Sequence, residues 1–155
     1  SRGAAIGFAP EEIDHSASTR DLPLKWVVVI DDALPRGRAV NAAICVAAPT
    51  TARVRGLLGD DVVDADGQVH SGLPWLGCTV LSAPSERLGT LHAAAAARSD
   101  VAVSDMPAQG QQIRVYADYL STISGTRAAD LTYCAVSVVG PRKVINTLVK
   151  GLPLA

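Results

Sequence analysis

Polar side chains that could carry acid–base chemistry stand where apolar segments of the chain end. Asp32 and Asp105 each close such a segment, and a carboxylate there can accept a proton as a general base. We predict Asp105 as this base and Asn41 as its catalytic partner, because an amide can orient a substrate. Asp32 and Gln109 are predicted to contact the ligand. The alternative for both aspartates is a structural role, in which the carboxylate caps the next turn.

The last predicted helix begins with a basic pair, Arg142 and Lys143, and Asn146 follows about one turn later. Positive charge at the start of a helix is unfavourable, because the helix dipole is already positive there. The backbone N–H groups at such a terminus favour anions. We therefore predict Arg142, Lys143 and Asn146 as ligand-binding residues that meet an anionic group, with a solvated surface as the alternative.

Several common catalytic and cofactor motifs are absent from the chain. Neither GxGxxG nor GxxxxGK[ST] occurs, which argues against dinucleotide and P-loop sites. No GxSxG sequence is present to form a nucleophile turn. His15, His70 and His92 lack the HxH or HxxxH spacing of a zinc site, and we expect all three on the surface. The sequence predicts no metal and no cofactor.

The composition limits the classes of partner. A net charge of −1 without a basic stripe offers a polyanion no electrostatic footprint, which argues against tRNA. No apolar run is long enough to span a membrane, and residues 1–20 lack the apolar core of a signal peptide. The three cysteines have no metal-ligand spacing. We expect three reduced, buried thiols in a cytoplasmic protein without a membrane partner.

Apolar segments and helical patterns alternate along the chain, which is typical of an α/β protein. We predict a flexible tail over residues 1–22 and a single α/β domain over residues 23–155. The run at 25–32 does not alternate, so its strand should be covered on both faces. We expect further strands at 75–83, 100–105 and 131–140, a hairpin around Asp66-Gly67, and helices at 37–48 (ended by Pro49), 84–98, 108–123 and 142–150.

This order predicts a three-layer α/β/α sandwich around a mixed, mostly parallel central sheet. Ligands of such sheets bind outside the carboxyl ends of the strands. The predicted site residues follow strand ends or lie in the helices that begin there, so we expect them to share one cleft.

Four blocks of the chain carry a family resemblance. They read VVVIDDALPRGRAVNAAICVAA, GDDVVDADGQVHSGLP, VSDMPAQGQ and VVGPRKVINTLVKGLPL. In this order they resemble the uncharacterised family called domain of unknown function 2000. That family is similar in fold to the type-II peptidyl-tRNA hydrolases of the Bit1-like superfamily, whose members often dimerise. The resemblance implies a peptidyl-tRNA hydrolase II-like sandwich and a homodimer.

The same resemblance implies that most of the hydrolase residues are lost. The functional lysine of those enzymes falls on Val40, their glutamine on Ile44 and their helix histidine on Ala47, while Asp105 remains. Ester hydrolysis needs stabilisation of a developing oxyanion, and losing one such donor costs about 100-fold in rate or more. Lys143 or Arg38 would have to replace the missing lysine.

Three functions are consistent with these residues. The first is a protein of unassigned function that binds, or acts on, a small polar ligand in the cleft. The second is an active hydrolase of peptidyl-tRNA or a related aminoacyl ester with a shifted residue set. The third is a non-catalytic interaction module that forms dimers.

Overall fold

The computed structural model of this protein describes residues 6–155. Strands and helices alternate in it, as the sequence pattern predicts. The strands are β1 (Leu24–Asp31), β2 (Val62–Val63), β3 (Val69–His70), β4 (Thr79–Ala83), β5 (Ala102–Pro107) and β6 (Tyr133–Pro141). The helices are α1 (Arg36–Arg53), α2 (Ser85–Ala96), α3 (Gln109–Gln112), α4 (Tyr116–Ser124) and α5 (Arg142–Leu148). Short 3-10 turns lie at Pro10–Glu12, Thr19–Asp21 and Ala128–Asp130.

The central sheet has the order β4-β1-β6-β5. It is mixed, as predicted, but the expectation of mostly parallel pairing is wrong. Only β1 and β4 pair in parallel, whereas β6 runs antiparallel to both β1 and β5.

The reason lies in the connection between β5 and β6. The sequence pattern predicts one helix over 108–123, long enough to cross the sheet and return the chain in a parallel strand. The structure instead has the two short helices α3 and α4. The chain therefore returns to the sheet at the end of the strands where β5 stops. As a result, β6 runs antiparallel to β5.

Helices cover both faces of the sheet, so the non-alternating pattern of β1 is explained. Val27 and Val29 point to one face and Val28 to the other, and all three are buried. The first face packs against Leu88 and Leu91 of α2 and Ile145 of α5. The second face packs against Ala42 and Val46 of α1.

Helix α1 continues past Pro49, although a proline was expected to end it. Proline removes one backbone donor and so costs one helical hydrogen bond. The following turn is held by packing, because Thr50 and Val54 are both buried. The Thr50 hydroxyl also donates to the carbonyl of Val46 at 2.7 Å.

The predicted tail packs against the domain wherever the structure describes it. Phe8 is only 1% exposed, its ring centroid lies 4.6 Å from that of Trp75, and its N–H donates to the Arg55 carbonyl at 2.8 Å. Leu22 is buried as well. Residues 6–22 thus differ from the expected flexible tail, because these two apolar side chains fill the core around α1. Residues 1–5 lie outside the described part of the chain.

The hairpin predicted at Asp66-Gly67 is present as β2 and β3. The Asp64 carboxylate accepts the backbone N–H groups of Asp66 and Gln68 at 2.9 and 3.0 Å. Gly67 has a φ of +84°, a conformation that glycine adopts without strain. Every residue from 60 to 71 is exposed, so the hairpin stands away from the core.

Candidate functional site

The structure divides the predicted site residues between two edges of the sheet. In β6, Gly140 pairs with Lys25 at the start of β1. Arg142, Lys143 and Asn146 follow Gly140, so they lie at the edge where β1 begins. Asp32 and Asp105 belong to the opposite edge, because β1 and β5 run against β6. The single predicted cleft therefore does not form.

Asp105 and Asn41 are also separated by the sheet itself. Asp105 contacts His92 of α2, on the face that α2 covers. Asn41 belongs to α1 on the other face, where its side-chain oxygen accepts the Gln111 amide at 3.2 Å. Asn41 thus pairs with another amide rather than with the predicted base.

Asp105, His92 and Tyr133 form a compact cluster. His92 Nε2 lies 2.8 Å from Asp105 Oδ2. The rings of His92 and Tyr133 stack with centroids 4.4 Å apart and planes 14° from parallel. The Tyr133 hydroxyl is 3.4 Å from His92 Nδ1, and since it lies over the ring rather than in its plane, this hydrogen bond is weak. Among residues 6–155, His92 is the basic residue whose side chain lies within 4.0 Å of the Asp105 carboxylate.

Two tyrosines near this cluster have raised pKa values, mainly because they are partly buried. Burial, and then the charge of Asp105, raises the pKa of Tyr133. Burial also raises the pKa of Tyr119, with smaller effects from Asp105 and Tyr116. Both phenols therefore stay protonated around neutral pH and can serve as hydrogen-bond donors to a group beside Asp105.

Sequence reasoning missed His92, which was expected to be a surface residue. The pattern of α2 contains the signal that identifies it. Leu88, Leu91 and Ala95 form the buried face of α2, and His92 lies four residues after Leu88 on that same face. A histidine at this spacing faces the sheet, where a strand can supply a partner.

Asp32 and Gln109 lie in different surroundings. Asp32 is exposed, and its backbone N–H donates to the Ala83 carbonyl at 2.9 Å. The Gln109 side-chain oxygen is buried and has no hydrogen-bond partner among the described residues. Among the described residues, Gln109 is thus the predicted ligand-binding residue whose buried side-chain oxygen lacks a hydrogen-bond donor.

Asp32 borders a groove of about 570 Å³ between β4 and α1. We call this the α1 groove. Its lining is mainly apolar and includes Val40, Ile44 and Val80, with Asp31 and Arg36 beside them. Val40 and Ile44 are both exposed along this groove.

Three cationic side chains line one cavity of about 360 Å³ at the other edge of the sheet. They are Arg20, Lys25 and Arg142, and we call the cavity the cationic pocket. Its remaining lining consists of Thr19, Trp26, Leu76, Gly77, Cys78 and Thr79. Within residues 6–155, none of the three cations has a carboxylate within 4.0 Å.

Neutral oxygen atoms hold two of these cations in place. Arg142 Nε donates to the Leu22 carbonyl at 3.0 Å, and its Nη2 donates to the Thr19 carbonyl. Lys25 Nζ donates to Asn146 Oδ1 at 2.8 Å. Arg142 thus lines the pocket, and Asn146 contacts it indirectly through Lys25. Lys143 is exposed and is not part of the lining.

The cysteines differ in environment, although all three were expected to be buried. Cys134 is buried, whereas Cys45 and Cys78 are exposed, and all three are free thiols. Although the Cys78 residue is exposed as a whole, desolvation at the cavity wall raises the pKa of its thiol to about 11. Cys78 is therefore a neutral wall of the cationic pocket rather than a thiolate nucleophile.

The described residues hold no group of three or more His, Cys, Asp or Glu side chains that could bind a metal ion. Across the same residues, no helix combines the length and the apolar character needed to cross a bilayer.

Comparison with known proteins identifies relatives of unknown function. The family model described as protein of unknown function (DUF2000) matches residues 24–155. A solved structure of a protein of unknown function from Agrobacterium tumefaciens str. C58 has a TM-score of 0.79 and 18% sequence identity. The match covers 86% of this chain and 98% of that chain, and shows a shared fold. No curated protein matches the sequence.

Proposed function

We propose that this chain, which belongs to the DUF2000 family of proteins of unknown function, binds a small oxyanion in the cationic pocket. One observation carries the proposal: Arg20, Lys25 and Arg142 line the same cavity, and no carboxylate of the described residues neutralises them. Like charges brought together in a half-enclosed space repel one another. An anion bound between them relieves that repulsion.

The donors needed for such a ligand are available. An arginine has five N–H donors and a lysine three. Arg142 uses two of them on the Leu22 and Thr19 carbonyls, and Lys25 uses one on Asn146. The remaining donors can bind a carboxylate or phosphate through charge-assisted hydrogen bonds, which are the stronger kind.

The size of the pocket favours a small ligand. Its volume of about 360 Å³ lies near the lower end of the range for small-molecule sites. Trp26 and Leu76 supply an apolar wall for a short carbon skeleton. A polynucleotide needs many phosphate contacts along a basic surface, and the net charge of −1 argues against one. The proposed ligand is therefore a small organic carboxylate or phosphate.

The test measures thermal stability and calorimetric binding with inorganic phosphate and with succinate as the two probes. Potassium chloride at equal ionic strength controls for screening. We expect either probe to raise the melting temperature, since a ligand at 100 times its Kd stabilises by about 2.7 kcal/mol. Phosphate alone, or succinate alone, would identify the oxyanion class.

The variant Arg20→Gln should abolish this stabilisation, whereas Lys150→Gln, which removes an exposed cation outside the pocket, should keep it. The proposal fails if neither probe stabilises the protein beyond the chloride control. It also fails if both variants respond like the unmodified chain.

A second candidate function is hydrolysis of an ester at Asp105, and the contact between Asp105 and His92 supports it. A carboxylate that holds an imidazole can orient it as a general base. Turnover of peptidyl-tRNA that falls at least about 100-fold in both Asp105→Asn and His92→Asn would support this function. The variant Asp100→Asn should retain the rate, because Asp100 pairs with Arg98 instead.

A further inference from the structure

We propose that the α1 groove binds a small aliphatic cation, namely a primary ammonium group attached to a hydrocarbon chain. Among the described residues, the groove shares no lining residue with the cationic pocket. Asp32 places the groove at the other edge of the sheet. The two sites therefore take ligands of opposite charge, and each can be tested without the other.

Hydrocarbon forms most of the groove wall. Val40 and Ile44 lie four residues apart on α1, so they form one row along the helix, and they are 53% and 65% exposed. The small side chains of Ala39 and Ala43 line the groove beside this row, and Val80 of β4 lines it from the sheet. A volume of about 570 Å³ is typical of small-molecule sites, which are mainly apolar with few polar groups. An aliphatic chain in this groove would remove exposed apolar side chains from water, which is favourable.

Two carboxylates supply the polar part of the site. Asp31 ends β1 and Asp32 follows it, and both line the groove. One oxygen of Asp31 accepts the Ala33 N–H at 2.9 Å, which holds this carboxylate in place. In the described part of the chain, no lysine, arginine or histidine nitrogen lies within 4.0 Å of either carboxylate. Their negative charges are therefore available to a ligand.

Charge decides which head group fits the groove. Arg36 also lines it, so two carboxylates stand against one guanidinium and negative charge prevails. The pair of carboxylates would repel an anion, whereas a primary ammonium gains charge-assisted hydrogen bonds and has three donors to share between them. Ser82 adds a hydroxyl acceptor to the same lining. Arg36 disfavours further positive charge, and this selects a monocation over a polyamine.

Isothermal titration calorimetry of the whole chain tests the proposal with three probes at equal ionic strength. The n-hexylammonium ion carries both the charge and the chain, 1-hexanol carries the chain alone, and methylammonium carries the charge alone. We expect n-hexylammonium to bind with a Kd of about 1 mM or lower. The other two probes should each bind at least about tenfold more weakly, because one lacks the charge-assisted hydrogen bonds and the other lacks the apolar contact.

Substitutions locate the bound cation. The double variant Asp31→Asn/Asp32→Asn should raise the Kd of n-hexylammonium at least about tenfold and leave that of 1-hexanol unchanged, since it removes charge but no apolar contact. Ile44→Ser should weaken the binding of both ligands. Arg36→Gln should tighten n-hexylammonium binding at least about twofold, because it removes the opposing positive charge. Asp130→Asn, which neutralises an exposed carboxylate outside the groove, should leave every Kd unchanged.

Arg20→Gln separates this proposal from the cationic pocket, because it should leave n-hexylammonium binding intact. Circular dichroism spectra confirm that each variant is folded. The proposal is overturned if 1-hexanol or methylammonium binds as tightly as n-hexylammonium, or if the double aspartate variant keeps the unmodified affinity. Absence of n-hexylammonium binding up to about 10 mM would overturn it as well.

Discussion

His92 Nε2 lies 2.8 Å from Asp105 Oδ2, so the second helix of the domain is joined to the edge strand of the sheet by an acid–base pair. The pair is partly shielded, with the side chains 23% and 32% exposed. Tyr133 stacks on the imidazole from the buried side. The carboxylate that the sequence suggests as a base is therefore already engaged with an imidazole rather than with a lysine or arginine.

Removing this carboxylate charge should destabilise the protein. Asp105→Asn weakens the hydrogen bond to His92, and we expect a loss of about 1 kcal/mol in the free energy of unfolding. Urea denaturation at pH 7 measures it. Asp100→Asn is the matched control, since its partner Arg98 is exposed and such solvent-screened surface pairs contribute little to stability. Equal losses in the two variants would mean that shielding by Tyr133 contributes nothing.

The free energy of unfolding should depend more strongly on the buried hydrogen bond between Trp26 and Ser137 than on the contact between His92 and Asp105. Trp26 Nε1 donates to Ser137 Oγ at 2.8 Å, and Thr50 Oγ1 lies 2.7 Å from the same oxygen. Ser137→Ala leaves the buried indole N–H without its acceptor, which costs about 1–3 kcal/mol. Chemical denaturation checks this value against Ser121→Ala, an exposed serine of α4 that should change stability by less than about 0.5 kcal/mol. A negligible effect of Ser137→Ala would contradict the hydrogen-bonded geometry.

The segment before β1 offers a direct test of its packing. Phe8→Ala should destabilise the chain by about 3 kcal/mol or more, because it removes a fully buried ring from the core beneath Trp75. Ile13→Ala, at a position 40% exposed, should cost much less. Differential scanning calorimetry compares the two. A flexible tail would predict no change for either variant, and that result would refute the contact.

What the sequence predicted well depends on local chemistry, and what it missed depends on distant parts of the chain. The Asp66-Gly67 turn and the buried β1 follow from turn preference and from an apolar run. The direction of β6 does not, because it depends on whether residues 108–132 cross the sheet. That one difference separates Arg142 from Asp105. Asp105 was predicted as a base because it closes the predicted strand 100–105, whereas its partner His92 belongs to a helix that only the tertiary fold brings near.

Alkaline pH should reveal the phenol beside this pair. Burial and the charge of Asp105 raise the pKa of Tyr133 in the folded state above its ordinary value of about 10. The unfolded chain therefore loses this proton first, so stability is retained below pH 10 and falls as the pH rises towards the folded pKa. Denaturation midpoints between about pH 9 and 11 should decline less in Tyr133→Phe than in the unmodified chain. Parallel decline in both would show that Tyr133 titrates normally.

The thiol in the cationic pocket should be unreactive although part of its residue is exposed. An ordinary cysteine has a pKa near 8.5, whereas desolvation raises the pKa of Cys78 to about 11. At pH 8 its thiolate fraction is then lower by roughly 200-fold, and alkylation should slow accordingly, since the thiolate is the nucleophile. In a Cys45→Ser/Cys134→Ser background, mass spectrometry follows iodoacetamide labelling of Cys78 before and after unfolding. Labelling of the folded chain at the unfolded rate would show that its sulfur is fully hydrated, and would remove it as a neutral wall of the pocket.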